Sequence, residues 1–162
     1  MNINSLSELQ NKLITIYEKT KGIINGNKEN THLEEIHDLL KIYNGEDWRE
    51  YINLNSCHYH RHTFYTSDEF DLLIITWAVD QECPIHNHPV NGCTVRVMQG
   101  NIKEERYKPE DMSLIKTIDY NENNIMYIDD SQAYHKMCNK GTTPCVTLHV
   151  YAPGKYKPTY FE

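Results

Sequence analysis

Apolar side chains follow two different rhythms along this chain. In the first fifty residues they recur every three or four positions. Leu6, Leu9, Leu13, Ile16 and Tyr17 form one stripe, and Leu33, Ile36, Leu40 and Tyr43 form a second. That spacing predicts two amphipathic helices. Ser5-Leu6-Ser7-Glu8 is a capping-box start for the first, and Thr31-His32-Leu33-Glu34 repeats the signal for the second. The polar stretch Gly22 to Asn30 reads as the turn between them, and a short third helix is predicted over Glu46 to Tyr51.

From Ser56 the rhythm changes to short β-branched and aromatic runs separated by turn residues. Strands are predicted at roughly 57–65, 69–79, 93–99, 101–108, 113–120, 125–128, 133–138 and 145–151. Many short strands at near-regular spacing predict a β-sandwich or barrel rather than an alternating α/β sheet. Val95 to Met98 and Ile102 to Glu105, joined through Gln99-Gly100-Asn101, read as a hairpin. The expected architecture is mainly β, with a helical segment over 1–55 packed on one small barrel over 56–162. The whole forms one structural domain.

Composition narrows the function classes. The 162 residues are 39% hydrophobic and 24% charged, with a formal net charge of −7. Lys and Arg are scattered, so the electrostatic footprint of a nucleic-acid binder is missing. Met1 to Gln10 lacks the layout of a secretory leader, and no apolar run is long enough to span a bilayer. Five cysteines without a CxxC pair fit a reducing compartment. The expectation is a cytoplasmic protein, and a monomer, since no heptad or interface stripe stands out.

Histidines carry the chemistry. His86-Asn87-His88 would put two imidazoles on one face of a strand. With Cys93 after four intervening residues and Gly100 after six more, the stretch resembles the first cupin motif, with cysteine where many cupins carry a glutamate ligand. His135-x-x-x-Asn139 resembles the end of the second motif. The fold implied is a single cupin, a small β-barrel or jelly roll. His86, His88 and His135 would then give a metal three neutral nitrogen donors and leave about three positions open, unlike the common two-histidine, one-carboxylate arrangement. A structural zinc site closed by Cys93 as fourth ligand is the competing reading.

From Tyr59 to Pro153 the chain resembles the eukaryotic cysteine dioxygenase family. The resemblance implies Fe(II) on His86, His88 and His135, and a thioether between Cys93 and Tyr151. Strand alternation puts Thr147, His149 and Tyr151 on one face, as a hydroxyl–imidazole–phenol relay requires. Trp77 stands where the family packs a tryptophan near the cross-link, and Ala152-Pro153 matches a family step with a cis bond. In Cys57 to Thr63, His58, His60 and His62 alternate with Tyr59 and Arg61, and spacing alone leaves either face free to point inward. The resemblance selects Tyr59 for the pocket wall and Arg61 for a substrate carboxylate. The implied reaction is dioxygenation of L-cysteine by O2 to cysteine sulfinate, with no nucleic-acid or membrane partner. Alternatives are a dioxygenase for 3-mercaptopropionate or cysteamine, and a non-catalytic cupin that binds metal or thiol. Two departures from the family stand out. Thr147 replaces the usual serine, and only 11 residues follow Tyr151, fewer than in the family, which leaves the enclosure of the substrate an open question.

Overall fold

The strand rhythm resolves into two five-stranded antiparallel sheets in the computed structural model, which describes residues 2–20 and 32–161. Helices α1 (Leu6–Thr20) and α2 (Leu33–Ile42) come first, followed by a 3-10 helix, Asp47–Tyr51. Ten strands complete the chain: β1 His60–Thr66, β2 Asp71–Trp77, β3 Ile85–His86, β4 Cys93–Gln99, β5 Ile102–Tyr107, β6 Leu114–Tyr120, β7 Ile125–Ile128, β8 Tyr134–Cys138, β9 Cys145–Tyr151 and β10 Tyr160–Phe161. One sheet has the order β1-β2-β9-β4-β7 and the other β10-β3-β8-β5-β6. The mainly β expectation holds. No described helix is long and apolar enough to cross a membrane.

The two central strands of the first sheet explain their nearly unbroken apolar sequences, because both of their faces are covered. On β2 and β9, Leu72, Ile74, Val146, Leu148 and Val150 meet Leu6, Leu9, Leu13, Ile36 and Leu40 of the helices in one hydrophobic cluster. The alternate positions, Leu73, Ile75, Trp77 and Cys145, turn inward to a second cluster with Ile102 and Met137 of the facing sheet. The helices close the outer face of one sheet, and the functional interior lies between the two sheets.

Local chemistry at the helix starts is partly as predicted. Ser5 Oγ accepts the backbone N–H of Glu8 at 3.1 Å, and Asp47 of the 3-10 helix accepts the N–H of Leu6 at 2.8 Å. Both satisfy donors that a helix N-terminus leaves unpaired. For α2 the cap is His32, with positive φ and no side-chain capping bond. Thr31 and the predicted turn at Gly22 to Asn30 lie outside the described residues.

The short third helix forms where expected, as a 3-10 segment that buries its Trp48. One expectation needs correction. The pair β4 and β5 is no hairpin: β4 bonds to β9 and β7, whereas β5 bonds to β6 and β8 in the opposite sheet. Gly100, at φ 76°, makes the crossing. A Cβ there would sit 2.6 Å from the Pro144 carbonyl oxygen, so both the conformation and the space demand glycine. Strands β3 and β10 are only two residues long, too short to show a period-two pattern.

Candidate metal centre

His86 ends β3, His135 lies opposite it on β8, and His88 follows just beyond the strand. The pairing of His86 with His135 brings together two histidines 49 positions apart in sequence. His88 reaches them although it is not on a strand, for Pro84 and Pro89 bracket this short element. All three are buried, and one ring nitrogen from each lies within 4.8 Å of the other two. Cys93 is not a member of this group, and His58, His60 and His62 form none among the described residues. His62 instead stacks on Tyr51, with ring centroids 4.3 Å apart.

Each ring is aimed by a partner on its Nδ1. That of His86 faces the Pro84 carbonyl oxygen at 2.9 Å, that of His88 faces Asp130 Oδ1 at 3.1 Å, and that of His135 faces Glu104 Oε2 at 2.6 Å. Carbonyl and carboxylate oxygens only accept, so every Nδ1 carries the hydrogen and every Nε2 keeps its lone pair. Burial, together with the neighbouring imidazoles, holds His86 well below the ordinary histidine value; burial likewise lowers His135, to about 4. Neutral imidazoles are what a metal needs. The Nε2 of His88 is buried without any hydrogen-bond partner. A buried nitrogen left unpaired costs about 1–3 kcal/mol, and a metal ion shared with the neighbouring His86 and His135 nitrogens removes that cost. The residues therefore fit a metal, with no carboxylate among the ligands.

Glu104 was not anticipated from sequence. It is fully buried, and burial alone would raise its pKa. Its hydrogen bonds to His135 and Arg106 outweigh that and hold it at about 2. Arg106 Nε donates to it at 2.8 Å and the Tyr120 hydroxyl at 3.0 Å, while Arg106 also bonds to Gln132 and to the Tyr127 carbonyl. The signal was present as parity, since Glu104 and Arg106 share the strand face of buried Ile102. Asp130, in the turn before β8, carried no such signal.

The second constellation is the inward face of β9. Trp77 Nε1 donates to Thr147 Oγ1 at 2.9 Å, Thr147 Oγ1 lies 2.6 Å from His149 Nε2, and His149 Nδ1 lies 3.2 Å from the Tyr151 hydroxyl. An indole N–H can only donate, which leaves the Thr147 proton for His149 Nε2 and the Nδ1 proton for Tyr151. The phenol's own proton is then available to Cys93 Sγ, with which the hydroxyl is in hydrogen-bond contact, or to the cavity. Burial keeps His149 well below, and Tyr151 well above, their ordinary pKa values. Cys93 is the direct cross-strand partner of Tyr151 in the β4–β9 ladder, and its Sγ lies 3.7 Å from His149 Nδ1.

Both constellations face one pocket of about 530 Å³, open mouth included. Tyr59 and Arg61 line it, Tyr59 stacking on Trp77 at 4.8 Å between centroids and Arg61 lying 5.8 Å over the Tyr151 ring. Tyr-x-Arg is thus the inward face at the start of β1. His86, His135, Trp77, His149 and Tyr151 line the same pocket, while His88, Cys93 and Thr147 stand behind it. Beyond β9, Tyr156, Pro158 and Tyr160 also line the pocket. The Ala152–Pro153 bond is cis.

Comparison with known proteins agrees with this geometry. The family model for cysteine dioxygenase type I matches residues 5–161. Cysteine dioxygenase type 1 of Bos taurus is 31% identical over 134 residues, and that of Danio rerio 28% identical over 140. In both cases the match spans 77% of this chain and 67% of the relative. Among solved structures, a Klebsiella pneumoniae protein with a double-stranded β-helix domain superposes with a TM-score of 0.60 at 19% identity, covering 71% of this chain and 94% of that one. A cupin superfamily protein from Desulfitobacterium hafniense gives 0.50 at 12% identity, covering 62% and 83%. With the family match running through both histidine motifs and the β9 strand, and with a cupin-like fold, the chain belongs to the cysteine dioxygenase type I family and is an enzyme.

Proposed function

We propose that this enzyme adds both atoms of O2 to the sulfur of L-cysteine, giving cysteine sulfinate, with Fe(II) held by His86, His88 and His135. The balance is RSH + O2 → RSO2H, which takes a free thiol to the second oxidised rung without an organic cofactor. The observation that carries the reading is a pocket that joins two of the three clustered imidazoles, His86 and His135, with an arginine. Among the described residues, no acidic side chain forms an ion pair with Arg61. A guanidinium left open toward a pocket suits a carboxylate, which it grips with two parallel N–H donors.

Iron(II), when bound, would supply a centre that favours the thiolate over the thiol and makes dioxygen reactive toward it. The protein's own groups do the rest. Arg61 fixes the carboxylate and so sets the direction in which the amine and sulfur point. Tyr59, stacked on Trp77, closes the wall beside it. Tyr151 holds a proton at its Oη facing the reacting sulfur, and His149, anchored through Thr147 to Trp77, fixes that hydroxyl's orientation. The cross-strand placement of Cys93 supports a thioether to Tyr151, which would lock the phenol in place. The methyl that threonine adds at 147 is accommodated, since Thr147 is fully buried and keeps both hydroxyl contacts.

The test is oxygen uptake by iron(II)-loaded protein with L-cysteine, 3-mercaptopropionate and cysteamine, products being identified by NMR. Uptake with L-cysteine and appearance of the sulfinate is the expected result. Uptake only with another thiol would keep the oxygen chemistry and overturn the substrate, and no uptake with any of the three would overturn the reading.

A further inference from the structure

The last residues of the chain make a wall of the pocket, and they are pinned by an unexpected residue. Asn87 stands between the two histidines of the first motif. Its Oδ1 accepts the Tyr156 hydroxyl at 2.7 Å and the Thr159 N–H at 2.8 Å, and its own N–H bonds to the Thr159 carbonyl at 3.2 Å. Strand β10 continues this clamp, with Tyr160 opposite His86 and Phe161 opposite Ile85. The Phe161 ring stacks on Tyr134 at 4.9 Å, nearly parallel at 6°. Three hydrogen bonds, two ladder positions and one ring stack hold Tyr160 in register with a metal-site histidine.

That register brings the Tyr160 hydroxyl to 3.5 Å from Arg61 Nη1, where it accepts, and toward the Tyr59 phenol. A hydroxyl that accepts from the guanidinium directs its own hydrogen elsewhere. The pocket also contains Asp71, but its two carboxylate oxygens are engaged, one with the Thr66 hydroxyl at 2.6 Å and the other with the Lys155 N–H at 2.8 Å. Arg61 and the Tyr160 phenol together therefore form a polar patch of the pocket beside His86, whose ring centroid lies 5.9 Å from that of Tyr160.

We infer that Tyr160 is a specificity-determining residue: its phenol donates a further hydrogen bond to the substrate carboxylate held by Arg61, so that strand β10 completes the carboxylate site. The inference deepens the proposed reaction and rests on it. A carboxylate offers about four lone-pair directions, and a two-pronged guanidinium uses two of them. The phenol takes a third. Aminothiols without a carboxylate make no use of it, so Tyr160 discriminates between substrates rather than supporting the chemistry in general.

The experiment is calorimetric titration of anaerobic iron(II)-loaded protein with L-cysteine and with cysteamine, for the wild type and Tyr160→Phe. Phenylalanine keeps the ring and removes only the hydroxyl. The expected result is an affinity loss of about 5- to 10-fold for L-cysteine, the range for one hydrogen bond near the surface, with cysteamine unchanged. Equal losses for both ligands would reduce Tyr160 to a structural wall and overturn the inference. No loss, or tighter binding of L-cysteine, would overturn it too. These outcomes are separable from failure of the underlying reading, which the wild type reveals alone: a wild type that does not prefer L-cysteine over cysteamine has no carboxylate site for Tyr160 to complete.

Discussion

At the scale of single residues, the site is built from polar groups whose burial is tolerated only because each is answered. Glu104 is the clearest case. An isolated buried carboxylate would take up a proton, but Arg106, Tyr120 and His135 give it enough bonds to stay ionised. Its work is to fix the His135 ring and its tautomer, a role in which outer partners of metal ligands typically matter 10- to 100-fold. Glu104→Gln should therefore weaken metal affinity by about that factor, measured by competition with a chromophoric chelator. Unchanged affinity would show that packing alone orients His135. Arg61→Gln acts on the other end of the pocket. Loss of a charge-assisted pair worth about 1.5–3 kcal/mol should lower kcat/KM for L-cysteine by about 10- to 150-fold. Oxygen-uptake kinetics that match the wild type would remove Arg61 from substrate binding.

Elements decide what single residues can meet. Cys93 and Tyr151 are 58 positions apart in sequence, and only the β4–β9 ladder makes them neighbours. Cys93→Ser should accordingly abolish any thioether, seen by peptide mass spectrometry as loss of a Cys93–Tyr151 cross-linked peptide, while the metal content stays at the wild-type level. Metal loss in that variant would make Cys93 a ligand after all, against its position outside the histidine group. How much could be read from sequence also sorts by element. Strands of six or seven residues, such as β2 and β9, announced themselves through composition and alternation, and so did the inward face of Thr147, His149 and Tyr151. The two-residue strands β3 and β10 did not, because two residues carry no period. The β4–β5 crossing was misread as a hairpin, because Gly100 serves a tight turn within one sheet as readily as a jump to the other. His86, His88 and His135 were legible from spacing and family resemblance. Glu104, Asp130, Asn87 and Tyr160 were not, since each acts through a partner distant in sequence and belongs to no motif.

For the whole molecule, the decisive property is how many imidazoles the interior keeps neutral. His86, His135 and His149 are all buried with pKa values depressed below the unfolded value of 6.5, chiefly by burial. The unfolded chain binds protons at these groups as pH falls through 6.5, whereas the native protein does not until well below. A depressed native pKa means stability present above 6.5 and lost progressively toward the native values, about 4 for His135. Each group costs up to about 1.4 kcal/mol per pH unit in that window. His135 alone should remove about 2 kcal/mol between pH 7 and pH 5, and His86 and His149 act in the same direction, a sizeable share of the 5–15 kcal/mol typical of a domain. Glu104 works at lower pH, since its stabilisation is lost only between the ordinary carboxylate range and about 2. Urea unfolding of chelator-treated protein, followed by circular dichroism at both pH values, measures the effect. A fall of less than about 1 kcal/mol would mean that the interior admits protonated histidine, and the neutral-nitrogen basis of the metal site would fall with it. A metal that binds only the native state should raise the midpoint at pH 7 and do so less at pH 5, because protons and metal compete for the same imidazole nitrogens.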